Sequence, residues 1–361
     1  MFDPFWLMVI VVIFALVFDY INGFHDTANA IATVVSTNVL SARTAVMLAA
    51  VFNFIGAFLG TGVAKTIGGD IASPTSVTQT VVLCALLAAI TWNLLTWWFG
   101  LPSSSSHTLV GGIVGAVFAR RVFEEGVAAG AAAETLLTAT GVIKVLKGLV
   151  LSPLAGFAIG FALMVVVTRI VARQPPAGVN RVFKRLQLVS ASLMALSHGT
   201  NDAQKVMGIV TMSLFAYYGH MTPAEAPGWL DLHAWQAHGD LVVPAWVIAA
   251  CAAAMALGTA AGGWRIMKTM GTRIIRLKPI HGFCAETAGA LVLFGAAQLK
   301  APVSTTHVIS SSIMGVGASR RLSAVRWGVA GNIVIAWVLT MPISAALGAA
   351  LYLGLRPFFG A

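Results

Sequence analysis

Charge is what this sequence has least of. Only 9% of its 361 residues are Asp, Glu, Lys or Arg, where a soluble domain carries roughly 25%. Together with 58% hydrophobic residues and a mean hydropathy of +0.88, that scarcity excludes a disordered chain and argues against an ordinary soluble enzyme. Cysteine is scarce as well. Cys84, Cys251 and Cys284 each sit inside an apolar stretch, an odd and scattered set that fits neither a disulfide framework nor a metal cluster. No metal or organic cofactor is expected. Acids are outnumbered by bases, 12 to 22, for a net charge of +10. In a soluble protein that excess would suggest nucleic acid. In a membrane protein it marks basic cytoplasmic loops, and no nucleic-acid partner is expected. No basic residue precedes the first apolar run, where Asp3 stands instead, so the N-terminus reads as a retained membrane helix and not a signal peptide. Runs such as Met8–Phe18 do not alternate apolar and polar residues, which excludes a membrane β-barrel.

What remains is a polytopic α-helical membrane protein. At about 20 residues per span, the length allows on the order of ten crossings of a lipid bilayer. Apolar stretches run over 5–24, 43–64, 77–99, 147–168, 186–218, 244–263, 283–298 and 327–355. Two shorter, Ser-rich pieces, 103–119 and 302–318, follow Pro102 and Pro302, and a third short piece covers 27–40. Short, interrupted segments at matching places in two halves point to a transporter binding site. Loops 169–185 and 265–278 carry five basic residues each and no acid, whereas 219–243 has no Lys or Arg and holds Glu225, Asp231 and Asp240. The positive-inside rule places the two basic loops in the cytoplasm and 219–243 outside. The histidines of that outer segment, His220, His233 and His238, read as part of a solvated loop.

An internal repeat organises the chain. LPSSSSHTLVGGIVGAVFARR (101–121) aligns without gaps on APVSTTHVISSSIMGVGASRR (301–321), with Pro102, Ser104, His107 and Arg120–Arg121 matched by Pro302, Ser304, His307 and Arg320–Arg321. Ser105 and Ser106 face Thr305 and Thr306, so the hydroxyls are kept. GFHDTANA (23–30) matches GTNDAQKV (199–206) in the same order. Two related halves follow, 1–172 and 186–361, joined by a basic cytoplasmic linker at 173–185. The second copy ends in uncompensated positive charge. In the first, Glu124 and Glu125 cancel the arginines, which favours opposite orientations of the halves.

Four acids lie in or beside apolar stretches: Asp19, Asp26, Asp202 and Glu286. An ionised carboxylate in mid-bilayer costs several kcal/mol, roughly 2.5–3.5 on insertion scales, so it marks a functional site by default. Asp26 and Asp202 occupy equivalent repeat positions within Gly- and Asn-containing stretches that read as helix breaks, where Asp could also serve as a cap. Asn29 follows Asp26 by three residues, and Lys205 follows Asp202 by three; on a helix each pair shares a face. His25 precedes Asp26 and could carry a proton. PSSSSH (102–107) and PVSTTH (302–307) read as helix starts, with Pro in the first turn. Their hydroxyls, free amides and positive dipole ends make an oxyanion cradle. Two cradles facing each other suit a tetrahedral anion such as phosphate. Bringing that anion between two aspartates demands cations, so cation-coupled uptake is expected. A serine hydrolase is disfavoured, because no GxSxG-type turn occurs and the candidate residues are duplicated. A facilitative oxyanion channel stays open as an alternative.

These motifs resemble the inorganic phosphate transporter (PiT) family, compact bacterial type. The family's Asn-Asp-type and Pro-x-Ser-x-x-His motifs occur here as GFHDTANA, LPSSSSH, HGTNDAQK and APVSTTH, in the expected order, and GGWRIMKTMG (262–271) with GFCAET (282–287) looks like its C-terminal half. The resemblance implies two inverted-topology repeats with broken helices and re-entrant hairpins, about twelve membrane helices, and a homodimer in the cell membrane. It implies that Ser104, Ser105, Ser106, Ser304, Thr305 and Thr306 meet phosphate, assisted by Asn29, Asn201 and Lys205, and that Asp26 and Asp202, with His25 and Glu286, serve the coupling cation. Many sodium-driven members carry Asn-Asp in both halves with a further Asn downstream in each. Here His25 replaces one Asn, and Lys205 stands where the other half has Asn29. These departures favour a proton as the coupling ion, with metal–phosphate as a candidate for the carried species. Sodium coupling is the alternative.

Overall fold

The computed structural model describes residues 3–62, 64, 77–219, 221–238, 242–299, 301 and 303–359, and no strand occurs among them. Pro302, His220, Asp240 and the side chain of His238 lie outside the described residues. Thirteen α-helices follow one another among those described. They are α1 (Pro4–Ser36), α2 (Ala42–Ala57), α3 (Gln79–Phe99), α4 (Ser105–Phe123), α5 (Ala129–Thr138), α6 (Thr140–Val171) and α7 (Pro176–Tyr218), then α8 (Leu232–His238), α9 (Ala245–Ala261), α10 (Trp264–Lys268), α11 (Pro279–Gln298), α12 (Thr305–Ala318) and α13 (Trp327–Phe359). Five of them, α1, α3, α6, α11 and α13, are long and apolar enough to cross a membrane. The pair α9 and α10, bent by 58° at Gly262 and Gly263, supplies a sixth if taken as one span.

The expected breaks at 23–30 and 199–206 are absent: α1 runs unbroken from Pro4 to Ser36 and α7 from Pro176 to Tyr218. Glycine there serves close packing instead. A Cβ at Gly23 would fall 2.4 Å from the Met255 carbonyl oxygen, and one at Gly199 2.2 Å from that of Asn53. Lipid tails are as apolar as leucine, so helices gain little by hiding apolar faces from them. Small residues that let backbones approach take over that role. Gly258 and Gly56 complete the two contacts, against Tyr20 and Leu196. Helix α1 thus packs on α9 as α7 packs on α2. The same exchange recurs between α4 and α13 and between α12 and α6, through Gly115 and Gly315.

Helices α1 and α7 lie side by side and antiparallel. Phe5 meets Tyr217 at one end, the Thr37 hydroxyl donates to Gln187 Oε1 at 2.9 Å near the other, and Asp26 meets Asp202 between. Basic segments gather at the Thr37–Gln187 end. Arg169 and Arg320 line one cleft there, Asn180 and Lys278 another, and Arg326 reaches the Thr272 carbonyl. The first repeat copy ends elsewhere: Arg120 and Arg121 pair with Glu125 at 3.3 and 3.6 Å, and Glu124 pairs with Arg356 near the far end of α13.

Polarity is inside out relative to a soluble protein. Ile170, Leu257, Leu151 and Ile335 are exposed, whereas Asp26, Asp202, His25 and Lys205 are buried. The apolar core divides into two clusters, one holding Leu7 to Phe18 of α1 and the other Ala28 to Val34. Between them the helix carries its polar residues.

Gly258→Ala forces a methyl to within 2.0 Å of the Tyr20 oxygen, and overpacking of this kind costs about 1–3 kcal/mol. Its thermal aggregation midpoint in detergent should fall by several degrees. Gly295→Ala, with nothing within 4 Å of the new carbon, should melt with the parent protein. Equal midpoints for the two variants would contradict the close-packed α1–α9 contact.

Candidate functional site

Two helices begin inside the protein. Ser104 and Ser304 precede α4 and α12 and are each 1% exposed. Both hydroxyls cap their helices, accepting from the amides of His107 at 3.3 Å and His307 at 3.2 Å, as Ser at an N-cap does. The next residues turn towards α1 and α7 with matching geometry. Ser105 Oγ stands 3.2 Å from Asp26 Oδ2, and Thr305 Oγ1 donates to Asp202 Oδ2 at 3.0 Å. One position on, each hydroxyl accepts from the opposite half: Ser106 from the Lys205 ammonium, Thr306 from the Asn29 amide at 2.9 Å. Thr306 also reaches Asp26 Oδ1 at 3.3 Å. The residue at 105/305 serves its own half's aspartate, and the residue at 106/306 serves the other half's partner three residues beyond it.

The two aspartates face each other. Ligand atoms of Asp26, His198 and Asp202 all lie within 4.8 Å of one another. Two unit charges at that spacing repel by about 3–4 kcal/mol at an effective dielectric of 20, so proton-bearing or positive groups must stand close. They do. His25 Nδ1 is 2.6 Å from Asp26 Oδ1, and its other nitrogen meets Thr96 at 3.1 Å and Ser103 at 3.4 Å. His198 Nε2 is 3.1 Å from Asp202 Oδ2, and its Nδ1 is 3.1 Å from Asn53 Oδ1. Lys205 is paired with Asp202 and donates to the Val303 carbonyl at 3.2 Å. Each aspartate therefore has its own histidine.

His25, Asp26, Asn29, Ser105, Ser106, Asp202, Lys205, Thr305 and Thr306 thus come together in one buried cluster. Ser104 and Ser304 border it as caps. Asn201 turns away: its amide donates to the carbonyls of Ser197 at 2.9 Å and Leu293 at 3.4 Å. Glu286 forms a separate cluster, accepting from Thr33, Ser190 and Gln187. Thr33 is seven residues beyond Asp26, about 10 Å along the helix. His198, Asn53 and Asn22 belong to the site and escaped the reading of the sequence. Asn22 Oδ1 is 2.6 Å from Ser105 Oγ. Read as unbroken helices, 22–26 and 198–202 would have revealed Asn22 and His198, because residues four apart share a helix face.

The model of the phosphate transporter family matches this chain twice, over residues 22–177 and 171–348. A probable low-affinity inorganic phosphate transporter of Bacillus subtilis (strain 168) is 49% identical over 355 residues, covering 98% of both chains. One from Mycobacterium bovis is 43% identical over 98% of this chain and 79% of its own length. Among solved structures, one titled "The sodium-dependent phosphate transporter" superposes with a TM-score of 0.79 at 24% identity, covering 98% of this chain and 99% of that one. With a membrane-spanning helical bundle, a twofold-repeated family match and a buried hydroxyl-rich site, this chain belongs to the phosphate transporter family, whose members are multi-pass membrane proteins that carry inorganic phosphate and not enzymes.

Proposed function

We propose that this protein is a proton-coupled symporter of inorganic phosphate in the cell membrane. Its two halves are related by inverted topology, with the basic segments 169–185 and 265–278, largely helical and not loops, in the cytoplasm and 219–243 outside. The antiparallel pairing of α1 and α7 supports the inversion, and the gathering of basic segments at one end supports the orientation. The observation that carries the coupling ion is the pairing of Asp26 with His25 and of Asp202 with His198. A carboxylate–imidazole pair can hold and hand on a proton, which a ring of neutral amides cannot.

Phosphate binding follows from the hydroxyls. Ser105, Ser106, Thr305 and Thr306 now point at carboxylates, an amide and an ammonium. The carboxylate oxygens occupy acceptor positions that phosphate oxygens take when the anion enters. Protonation of the Asp–His pairs withdraws negative charge as phosphate arrives, and Lys205 supplies a fixed positive charge. The cluster is shut off from both ends, with Asp26 and Asp202 each 1% exposed. Alternate opening of the two ends then moves the anion and the protons together. Ser104 and Ser304 shape the cradle as caps, and Glu286 acts at a distance from the anion. We take the working unit to be a homodimer.

A second reading draws on the three-donor set. A ring nitrogen of His198 and a carboxylate oxygen each from Asp26 and Asp202 lie within 4.8 Å of one another, as ligands of one cation do. A mixed nitrogen–oxygen set suits a divalent transition metal better than sodium. In that case phosphate travels as a neutral metal complex, with the metal as cargo.

Radiolabelled phosphate uptake into proteoliposomes under separate proton and sodium gradients separates these readings. Proton-driven accumulation without sodium is expected; accumulation with sodium alone overturns proton coupling and keeps the family. Asp26→Asn and Asp202→Asn should each abolish uptake while the protein stays folded in the membrane, and normal transport by either would remove that carboxylate from the mechanism. Lys205→Met should weaken the apparent phosphate affinity by about 10- to 100-fold, the worth of a charge-assisted hydrogen bond of roughly 1.5–3 kcal/mol. An unchanged affinity would show that Lys205 serves Asp202 alone.

A further inference from the structure

One buried acid has no part in the mechanism so far. Asp19 lies on α1 seven residues before Asp26, so the two share a helix face about 10 Å apart. It is 0% exposed, and neither of its carboxylate oxygens has a hydrogen-bond partner. Two titratable groups act on it. The Cys251 thiol faces it from α9, and on α7 stands Asp202, whose charge is met by Lys205 and His198. Helix α3, also packed on α1, carries no charged residue. Between Asp19 and Asp26 the same face presents Asn22, in contact with Ser105. Asp19, Asn22 and Asp26 therefore form a buried polar stripe leading from the central site towards the end where Phe5 meets Tyr217.

The occupant of Asp19 is set by what surrounds it. An ionised carboxylate facing only a weak thiol donor in a lipid-embedded interior is strongly disfavoured. A metal cation would need several oxygen ligands; this position offers its own carboxylate and a thiol. A proton needs one oxygen and no other ligand.

We propose that Asp19 is a proton relay for the central site. It holds the proton that travels with phosphate at the Phe5–Tyr217 end of the stripe. When that end opens, entering water carries the proton from Asp19 along the stripe to the His25–Asp26 pair, and Asp19 is re-protonated from the aqueous side. Asp19 is thus a positioning residue for the proton and does not touch phosphate. This rests on the proton-coupled reading above.

The test uses the full-length protein in proteoliposomes, with two assays on the same vesicles: phosphate–phosphate exchange at equal pH on both faces, and accumulation driven by an inward proton gradient. Asp19→Asn keeps the shape and removes the acid. Its exchange should stay within about twofold of the parent while proton-driven accumulation falls at least about tenfold and loses its pH dependence. Asp19→Glu should restore most of the accumulation. Cys251→Ser leaves the acid in place but changes the group facing it, and should shift the pH midpoint of accumulation without altering exchange. Accumulation by Asp19→Asn with the parent's pH profile would overturn the relay. So would joint loss of exchange and accumulation in a variant that melts with the parent, which would place Asp19 in binding or packing. An unshifted Cys251→Ser profile would also count against it. If the parent itself fails to accumulate phosphate under a proton gradient, coupling to protons falls first, and the relay with it.

Discussion

Two carboxylates facing each other in the buried interior are the constraint around which the molecule is built. Neither Asp26 nor Asp202 could stand there alone. Each is met by a histidine, by a hydroxyl from the start of an interior helix, and, on one side, by the Lys205 ammonium. These supporting groups come from helices far apart in the chain. Helices α1 and α7 carry the acids, and α4 and α12 bring the hydroxyls. The site exists only when the two halves are folded against each other.

That requirement explains the scaffold. Leaving room for two interior helix starts beside α1 and α7 needs the flanking backbones nearly in contact. Gly23 and Gly199 let α1 and α7 press on α9 and α2 at the level of the acids, and Gly258 and Gly56 do the same from those partner helices. Apolar clusters above and below the polar layer exclude water from it. The Asn29–Thr306 and Lys205–Ser106 bonds bind the halves across the site. The difference between them, amide on one side and ammonium on the other, makes an otherwise matched site electrically lopsided. A neutral amide stabilises an anion weakly and leaves room for a cation, whereas an ammonium occupies that role permanently.

Much of this was legible in the amino-acid sequence because it is written twice. The hydroxyl motifs at 104–106 and 304–306 and the aspartates at 26 and 202 stand out by repetition, and the helical class follows from composition. The paths of α1 and α7 were not legible. Gly, Asn and Asp in GFHDTANA and GTNDAQKV weaken local helix propensity, which suggested breaks. Tertiary contacts outweigh that local preference, since the glycines sit at helix crossings and the polar side chains find partners across the bundle. The misread breaks hid His198 and Asn22, whose relation to the aspartates depends on an unbroken helix. Asn201, adjacent to Asp202 in the chain, faces backbone carbonyls because neighbouring helical residues point about 100° apart. Glu286 met the same difficulty. An acid in an apolar stretch signals a site, but only the fold shows that its partners are Thr33, Ser190 and Gln187, away from the central pair.

The hydroxyls of the two interior helix starts, now held by Asp26, Asp202, Asn29 and Lys205, are the proposed receptor for phosphate. An experimental structure of the protein with phosphate bound tests it most directly. Tetrahedral density is expected between the starts of α4 and α12, with phosphate oxygens in contact with Ser105, Ser106, Thr305 and Thr306 and with Lys205 beside them. Phosphate seated elsewhere, with Ser105, Thr305 and Thr306 still bonded to the two carboxylates and Ser106 to Lys205, would overturn that assignment.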